Sequence, residues 1–236
     1  MARCSPRFVV VIIFCYNYVI ISPGITVSNV SIRKADPQEF TEVSRRFQKQ
    51  WAKRKGPCPP LSFIFSISNG QLEQRWRVYQ QRLSEKTVEK HFHGTKLNCN
   101  ITTSETTCND QDCGICGISR TGLDRRCIQK NIPFQRFGHG FYVAPNSSKC
   151  HDYTQGVGAF GYRAMFLCDV CPGKKYRKKR DDESLTGPPK GYDSVHGMGG
   201  SGSTLNYDEI VIYDPDSVLP RYILVYRKDG THKIAK

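Results

Sequence analysis

Hydrophobic positions recur at helical spacing in two stretches of the first third of the chain. Phe40, Val43, Phe47 and Trp51 share one helical face. Asp36-Pro37-Gln38-Glu39 stands just ahead of them, with Asp as N-cap, Pro at the first helical position and Glu at the third. Gly56-Pro57-Cys58-Pro59-Pro60 ends that helix. Leu61 to Ile67 then reads as a strand, with Asn69-Gly70 as a turn. A second helix follows, with Leu72, Trp76, Tyr79 and Leu83 on its inner face. Both apolar faces read as core.

After His93 the texture changes. Residues 98–135 are cysteine-rich and loop-like, and short strand candidates dominate from there. These are Gly140–Ala144, Tyr162–Val170, Glu209–Asp214 and Arg221–Tyr226, the last three rich in β-branched and aromatic residues. Helices first and strands later predict an α+β domain, not a βαβ series. A length of 236 residues suits one domain with a short leader.

The leader is the apolar run Phe8 to Ile21 behind Arg3 and Arg7. A basic start and a short apolar stretch have the form of a secretory signal. The run is shorter than the roughly 20 residues of a membrane span, contains Asn17, and is not followed by an A-x-A site. Residues 1–28 are therefore set apart as a leader, a signal peptide or an anchor, and 29–236 as the folded domain. A working leader implies secretion or membrane anchoring; otherwise the chain is intracellular.

A net charge of +14 favours anionic partners and says little about fold. The densest basic run, Lys174 to Arg180, lies in a predicted loop. It suits a nucleic-acid contact or an import signal, but it contains one aromatic, so base stacking has little support and a nucleic-acid partner is not expected. With a hydrophobic fraction of 38%, a disordered chain is excluded.

Gly156-Val157-Gly158-Ala159-Phe160-Gly161 matches G-x-G-x-x-G, but a polar segment precedes it and a strand candidate follows. The dinucleotide fingerprint needs the reverse, so this stretch reads as a loop. Of 11 cysteines, Cys4 and Cys15 lie in the leader, and the odd remainder cannot all pair within one chain. Cys99, Cys108, Cys113 and Cys116 are spaced C-x8-C-x4-C-x2-C. Four thiolates suit a closed tetrahedral zinc site; two disulfides are the alternative if the chain is secreted. Cys168-x-x-Cys171 reads as structural.

Three separated segments carry the remaining signal. They are Phe92-His93-Gly94-Thr95, the stretch Phe137 to Tyr153, and Leu205-Asn206-Tyr207-Asp208-Glu209-Ile210-Val211-Ile212-Tyr213. In order and spacing they resemble the catalytic domain of poly(ADP-ribose) polymerases, over about residues 36 to 227. The likeness is closest to a compact fungal type with cysteines between the His-Gly and Tyr segments. Gly191-Tyr192-Asp193-Ser194-Val195 and Leu219-Pro220-Arg221-Tyr222 are similar to that family too. The resemblance implies the ADP-ribosyltransferase fold, with N-terminal helices followed by two packed, mainly antiparallel sheets, and residues 29–236 as the catalytic domain.

It also implies a reaction. NAD would be cleaved to nicotinamide, and ADP-ribose passed to a protein or to an ADP-ribose chain. The transition state is oxocarbenium-like, as in glycoside cleavage. By resemblance Glu209 holds the ribose 2′-hydroxyl and polarises the acceptor, and His93 holds the adenosine-ribose side. Gly94 bonds the nicotinamide amide through its backbone, and Tyr142 and Tyr153 sandwich the ring. Cys150 stands where the family usually has a serine that binds the same amide. A thiol bonds more weakly there, and at a pocket wall it is expected to react with alkylating agents. The rival reading is a weak or inactive NAD- or ADP-ribose-binding module of the same fold.

Overall fold

The computed structural model describes residues 30–52, 55–128, 135–154 and 161–227. The leader and residues 156–160 of the glycine-rich stretch lie outside the described residues. Among those described, no helix is long and apolar enough to cross a membrane.

The first helix, α1, runs Pro37–Lys49 and starts as its sequence dictates. The Glu39 amide donates to Asp36 Oδ1 at 2.9 Å, and the Asp36 amide to Glu39 Oε2 at 3.0 Å. Such a cap is worth about 1 kcal/mol. Val43 and Phe47 are buried, with Phe40 and Trp51 packed beside them. A strand not legible in the sequence, β1 (Val30–Lys34), precedes this helix. It is an edge strand with one buried residue, Ile32, so it has little apolar alternation to reveal it.

Strand β2 (Leu61–Asn69) runs two residues past its expected end. Asn69-Gly70 is not a turn: Asn69 caps helix α2 (Gly70–Arg82), its Oδ1 accepting from the Leu72 amide at 3.2 Å. Its amide group donates to the carbonyls of Ser119 and Arg120. An Asx cap competes with the hairpin reading of Asn-Gly, and the helical period that follows favours the cap. Leu72, Trp76, Tyr79 and Leu83 are buried as expected.

Five strands form the first sheet in the order β1-β2-β9-β5-β3, where β3 is Glu89–Gly94, β5 Tyr162–Val170 and β9 Val218–Arg227. Every pairing in it is antiparallel. The second sheet has the order β4-β8-β7-β6, with β4 Phe141–Val143, β6 Lys175–Lys178, β7 Ser194–Gly197 and β8 Glu209–Ile212. Only its β6–β7 pair is parallel. The α+β class and the two mainly antiparallel sheets are as expected, though β1 and β2 interleave with the first helices.

The sheets pack face to face. Phe65, Ile67, Phe166, Ile223 and Val225 of the first meet Phe141, Val143, Ile210 and Ile212 of the second. Each large side chain fully buried there contributes about 1.5–3 kcal/mol. Residues 98–135 are not all loop: they hold helix α3 (Ile101–Ser104) and helix α4 (Gly114–Thr121). Helix α4 buries Ile115, Cys116 and Ser119 on one face, a stripe too short to read as a period. The basic run is likewise not a loop, since β6 lies within it. Lys175 pairs with Glu89 and Lys178 with Asp182, while Lys174 sits over the Tyr192 ring.

Several contacts join the sheets at β3. Phe92 and Ala144 exchange backbone hydrogen bonds of 2.8 and 3.0 Å. Glu89 of β3 is held by His91 at 2.8 Å and by Lys175 of β6. The hydrogen bond from His91, and then Lys175, hold the Glu89 carboxyl down at about 2. A carboxyl depressed in the fold adds stability above its unfolded value near 4.5, lost as pH falls through about 2. Thermal melts of the wild type should therefore fall more steeply across that window than those of Glu89→Gln. Parallel pH profiles for the two proteins would refute this coupling.

Candidate active site

His93 lies one residue from the end of β3, on the face turned to the second sheet. Its Nδ1–H donates to the Tyr142 carbonyl of β4 at 2.9 Å. Burial lowers its pKa against the opposing effect of that bond. The ring is therefore neutral, with Nε2 left as an acceptor. Gly94, next in the strand, meets helix α5 (Ser147–His151): a Cβ there would stand 2.1 Å from the Cys150 carbonyl oxygen. A side chain at 94 would push α5 off the strand, so glycine is demanded by packing before any ligand is considered.

Tyr142 pairs with Val211 across β4 and β8. Side chains alternate along a strand, so Tyr142 and Glu209 share one face of the second sheet. The Tyr142 hydroxyl donates to the Gly138 carbonyl at 3.0 Å and accepts from the Phe137 amide at 2.9 Å. Its phenol is pushed up first by burial, then by neighbouring charges that include Glu209. Tyr153, just past α5, is 44% exposed, leaving its ring open to a flat partner.

Glu209 opens β8 and is 3% exposed. A carboxylate so buried needs a partner, and Lys149 of α5 supplies it at 2.5 Å. The ammonium of Lys149 also stands 5.7 Å over the Tyr153 ring. Glu209 and Lys149 line a cleft of about 360 Å³ with Lys55, Arg136, Asp152, Asn206 and Tyr207. Lys55 is paired with Asp152 at 2.7 Å and Arg136 with Asp181 at 2.7 Å. Helix α5 is fastened behind this wall: Ser147 donates to the Phe47 carbonyl at 2.7 Å, and Ser148 accepts from the Ala52 amide at 3.1 Å.

Cys150 does not behave as an accessible thiol. It is 3% exposed, packs among Val43, Phe47 and Phe92, and donates to the Phe92 carbonyl at 3.1 Å. Burial pushes its thiol up to about 12, which disfavours the thiolate that alkylation needs. The burial thus argues against the expected reactivity.

The second constellation closes on itself. The Sγ atoms of Cys99, Cys108, Cys113 and Cys116 lie within 4.8 Å of one another. Cys99–Cys116 and Cys99–Cys113 are 3.5 and 3.9 Å apart, and all nine described cysteines are free thiols. Four sulfurs about 2.3 Å from a tetrahedral zinc stand roughly 3.8 Å apart, so the set fits that ion. Backbone amides of Asn98 and Cys108 donate to Cys113 and Cys116 at 3.4 and 3.2 Å. Hydrogen bonds from Cys116 and Cys99 hold the Cys113 thiol below its usual range, while the same contacts push Cys99 up. Directly beside it the Ile115 amide donates to the Lys96 carbonyl at 3.1 Å. A Cβ on Gly114 would strike Thr95 at 2.1 Å. The cluster therefore grips the segment that leaves β3 just after Gly94.

A match to the family model of the poly(ADP-ribose) polymerase catalytic domain covers residues 37–204. The chain belongs to this family. Among curated relatives, protein mono-ADP-ribosyltransferase PARP4 of Homo sapiens is 35% identical over 39% of this chain and 6% of its own length. Protein mono-ADP-ribosyltransferase PARP3 is 27% identical in Homo sapiens and 39% in Mus musculus, each over 60% of this chain and 23% of the relative. The chain thus spans under a quarter of the length of these relatives.

As a poly(ADP-ribose) polymerase catalytic domain the chain has the α+β ADP-ribosyltransferase fold. The family match stops short of Glu209, which enters the site through β8. Sequence reasoning missed Lys149, although it stands inside the same segment as Tyr142 and Tyr153 at a fixed offset from both. A lone lysine between two serines and a cysteine has no signature of burial; only the tertiary pairing with Glu209 marks it. In iodoacetamide labelling of the folded protein, exposed Cys127 should be modified first. Cys150 should lag by at least about tenfold until the protein unfolds. Equal rates would mean that the Cys150 thiol faces solvent.

Proposed function

We propose that this chain is an NAD-consuming ADP-ribosyltransferase that releases nicotinamide and transfers ADP-ribose to a protein or to a growing ADP-ribose chain. The observation that carries the reading is the buried Lys149–Glu209 pair on the wall of a cleft, on the same sheet face as Tyr142. Bond cleavage to nicotinamide leaves a cationic sugar, and a fixed carboxylate is the group that stabilises one. Glu209 takes the ribose 2′-hydroxyl and helps draw the proton from the acceptor. Lys149 pairs with Glu209 and holds it aimed. Neutral His93 offers Nε2 as an acceptor to the adenosine-ribose hydroxyls.

Backbone groups of Gly94 serve the nicotinamide amide, with the ring between Tyr142 and Tyr153. Cys150 stands behind that amide with its proton on the Phe92 carbonyl, so it supports the wall more than it bonds the ligand. The acceptor enters by the cleft of Lys55, Arg136, Asn206 and Tyr207. Cys99, Cys108, Cys113 and Cys116 would hold a structural zinc ion, whose chemistry is to fix the loop behind Gly94 and not to react. The sulfur spacing and the amide hydrogen bonds to sulfur favour zinc over disulfides.

Two measurements test this. Glu209→Gln keeps the shape and removes the charge; transfer from labelled NAD should fall by about two orders of magnitude or more while the fold persists. Near-normal transfer would sink the assignment, and a wild type that binds NAD without releasing nicotinamide would favour a binding module. Purified protein should carry about one equivalent of zinc, and chelation should lower its melting temperature. Disulfide-linked peptides from these four cysteines would decide against the metal.

A further inference from the structure

On the far face of the strand that carries Glu209 lies a histidine–carboxylate pair that the reaction does not touch. β7 and β8 run antiparallel, with Gly197 opposite Glu209 and His196 opposite Ile210. Alternation therefore puts Glu209 toward the cleft and His196 on the other side. Asp208, the residue before Glu209, uses both carboxylate oxygens. Oδ2 accepts from His196 Nε2 at 3.2 Å, and Oδ1 accepts from the Gly199 amide at 2.7 Å. His196 has no hydrogen-bond partner on its buried Nδ1, so this ring is held through Nε2 alone.

Glycines let the connection come close. A Cβ on Gly199 would lie 2.6 to 2.9 Å from the backbone of Tyr207. A Cβ on Gly197 would enter the ring of Phe137 and the side chain of Leu205. Backbone bonds from Met198 to Lys178 and from Gly200 to Leu205 complete the fastening. The start of β8 is thus tied to the end of β7 through one carboxylate, one residue from the buried glutamate.

The geometry points to His196 and Asp208 as positioning residues for Glu209: their bond, with the Gly199 bond, sets where the Glu209 carboxylate stands against Lys149 and the cleft. The inference rests on the transferase reading for its kinetic consequence, and on the fold alone for its structural one. A charge misplaced by about 1 Å can cost up to about a hundredfold in rate. Groups that bind NAD from β3 and α5 lie on other elements and keep their places.

The test uses the full chain. In Asp208→Ala and His196→Ala, kcat for NAD cleavage should fall about tenfold, with KM for NAD within about twofold of wild type. His196→Gln, whose amide can still donate to Asp208, should recover most of the loss. Asp208→Asn, which keeps an oxygen for the Gly199 amide, should recover part. The double alanine variant should be no worse than Asp208→Ala, since the two act as one unit. Hydrogen exchange of residues 197–212 without NAD should rise in both alanine variants and not in His196→Gln. Unchanged kcat together with unchanged exchange would overturn the inference, as would kcat and KM failing together with a general loss of melting temperature. A wild type with no turnover would count against the transferase reading, and exchange would then decide the positioning role by itself.

Discussion

Two backbone hydrogen bonds between Phe92 and Ala144 hold the two sheets at a fixed offset, and the site is built around them. Candidate site residues stand close to this bridge on both strands. His93 follows Phe92 and reaches the Tyr142 carbonyl two residues before Ala144. Gly94 follows His93 and receives the turn of α5. Glu209 lies where β8 leaves its pairing with β4. Slipping the bridge by one residue would turn every side chain on the strand to the opposite face. His93 would then turn away from the second sheet and lose the Tyr142 carbonyl. The core between the sheets opposes such a slip, because Phe141, Val143, Phe166 and Ile210 would leave it together.

The site also buries a carboxylate, which needs a partner there. Desolvation of Glu209 is offset by Lys149, itself mostly buried, and the pair is held from outside by α5. This helix has five residues and would not be stable alone. Ser147 and Ser148 bind it to the end of α1, and Gly94 lets it lie flat on β3. The capping box of α1 thus supports, at one remove, the placement of the cleft lysine Lys149. The cysteine cluster acts just past the same end of β3, gripping Thr95 and Lys96 through α4.

Much of this was written in the sequence. The cap at Asp36, the faces of α1 and α2, and the strands β5 and β9 follow from hydrophobic period and turn chemistry, because each element buries one clean stripe. His93, Gly94, Tyr142, Tyr153 and Glu209 stood out because the order and spacing of their segments resemble a known family. The cysteine set was legible from its C-x-x-C pair, and its closure within one sphere agrees with that reading. Elements without a long apolar stripe were not legible: β1 and β6 at sheet edges, α4 in eight residues, and the cap hidden in Asn69-Gly70.

What the chain by itself determined is where α1 starts and which faces α1, α2, β5 and β9 bury, since those depend on neighbours within a few residues. What only the tertiary structure decided is which groups meet across long separations. Lys149 finds Glu209, Glu89 finds Lys175, and Asp208 finds both His196 and Gly199. The same holds for Cys150, which the family resemblance set toward a ligand and which packs inward against Phe47 and Phe92. The physical reason is that burial, which fixes whether a charge needs a partner and whether a thiol can react, is a property of the assembled layers and not of any one segment.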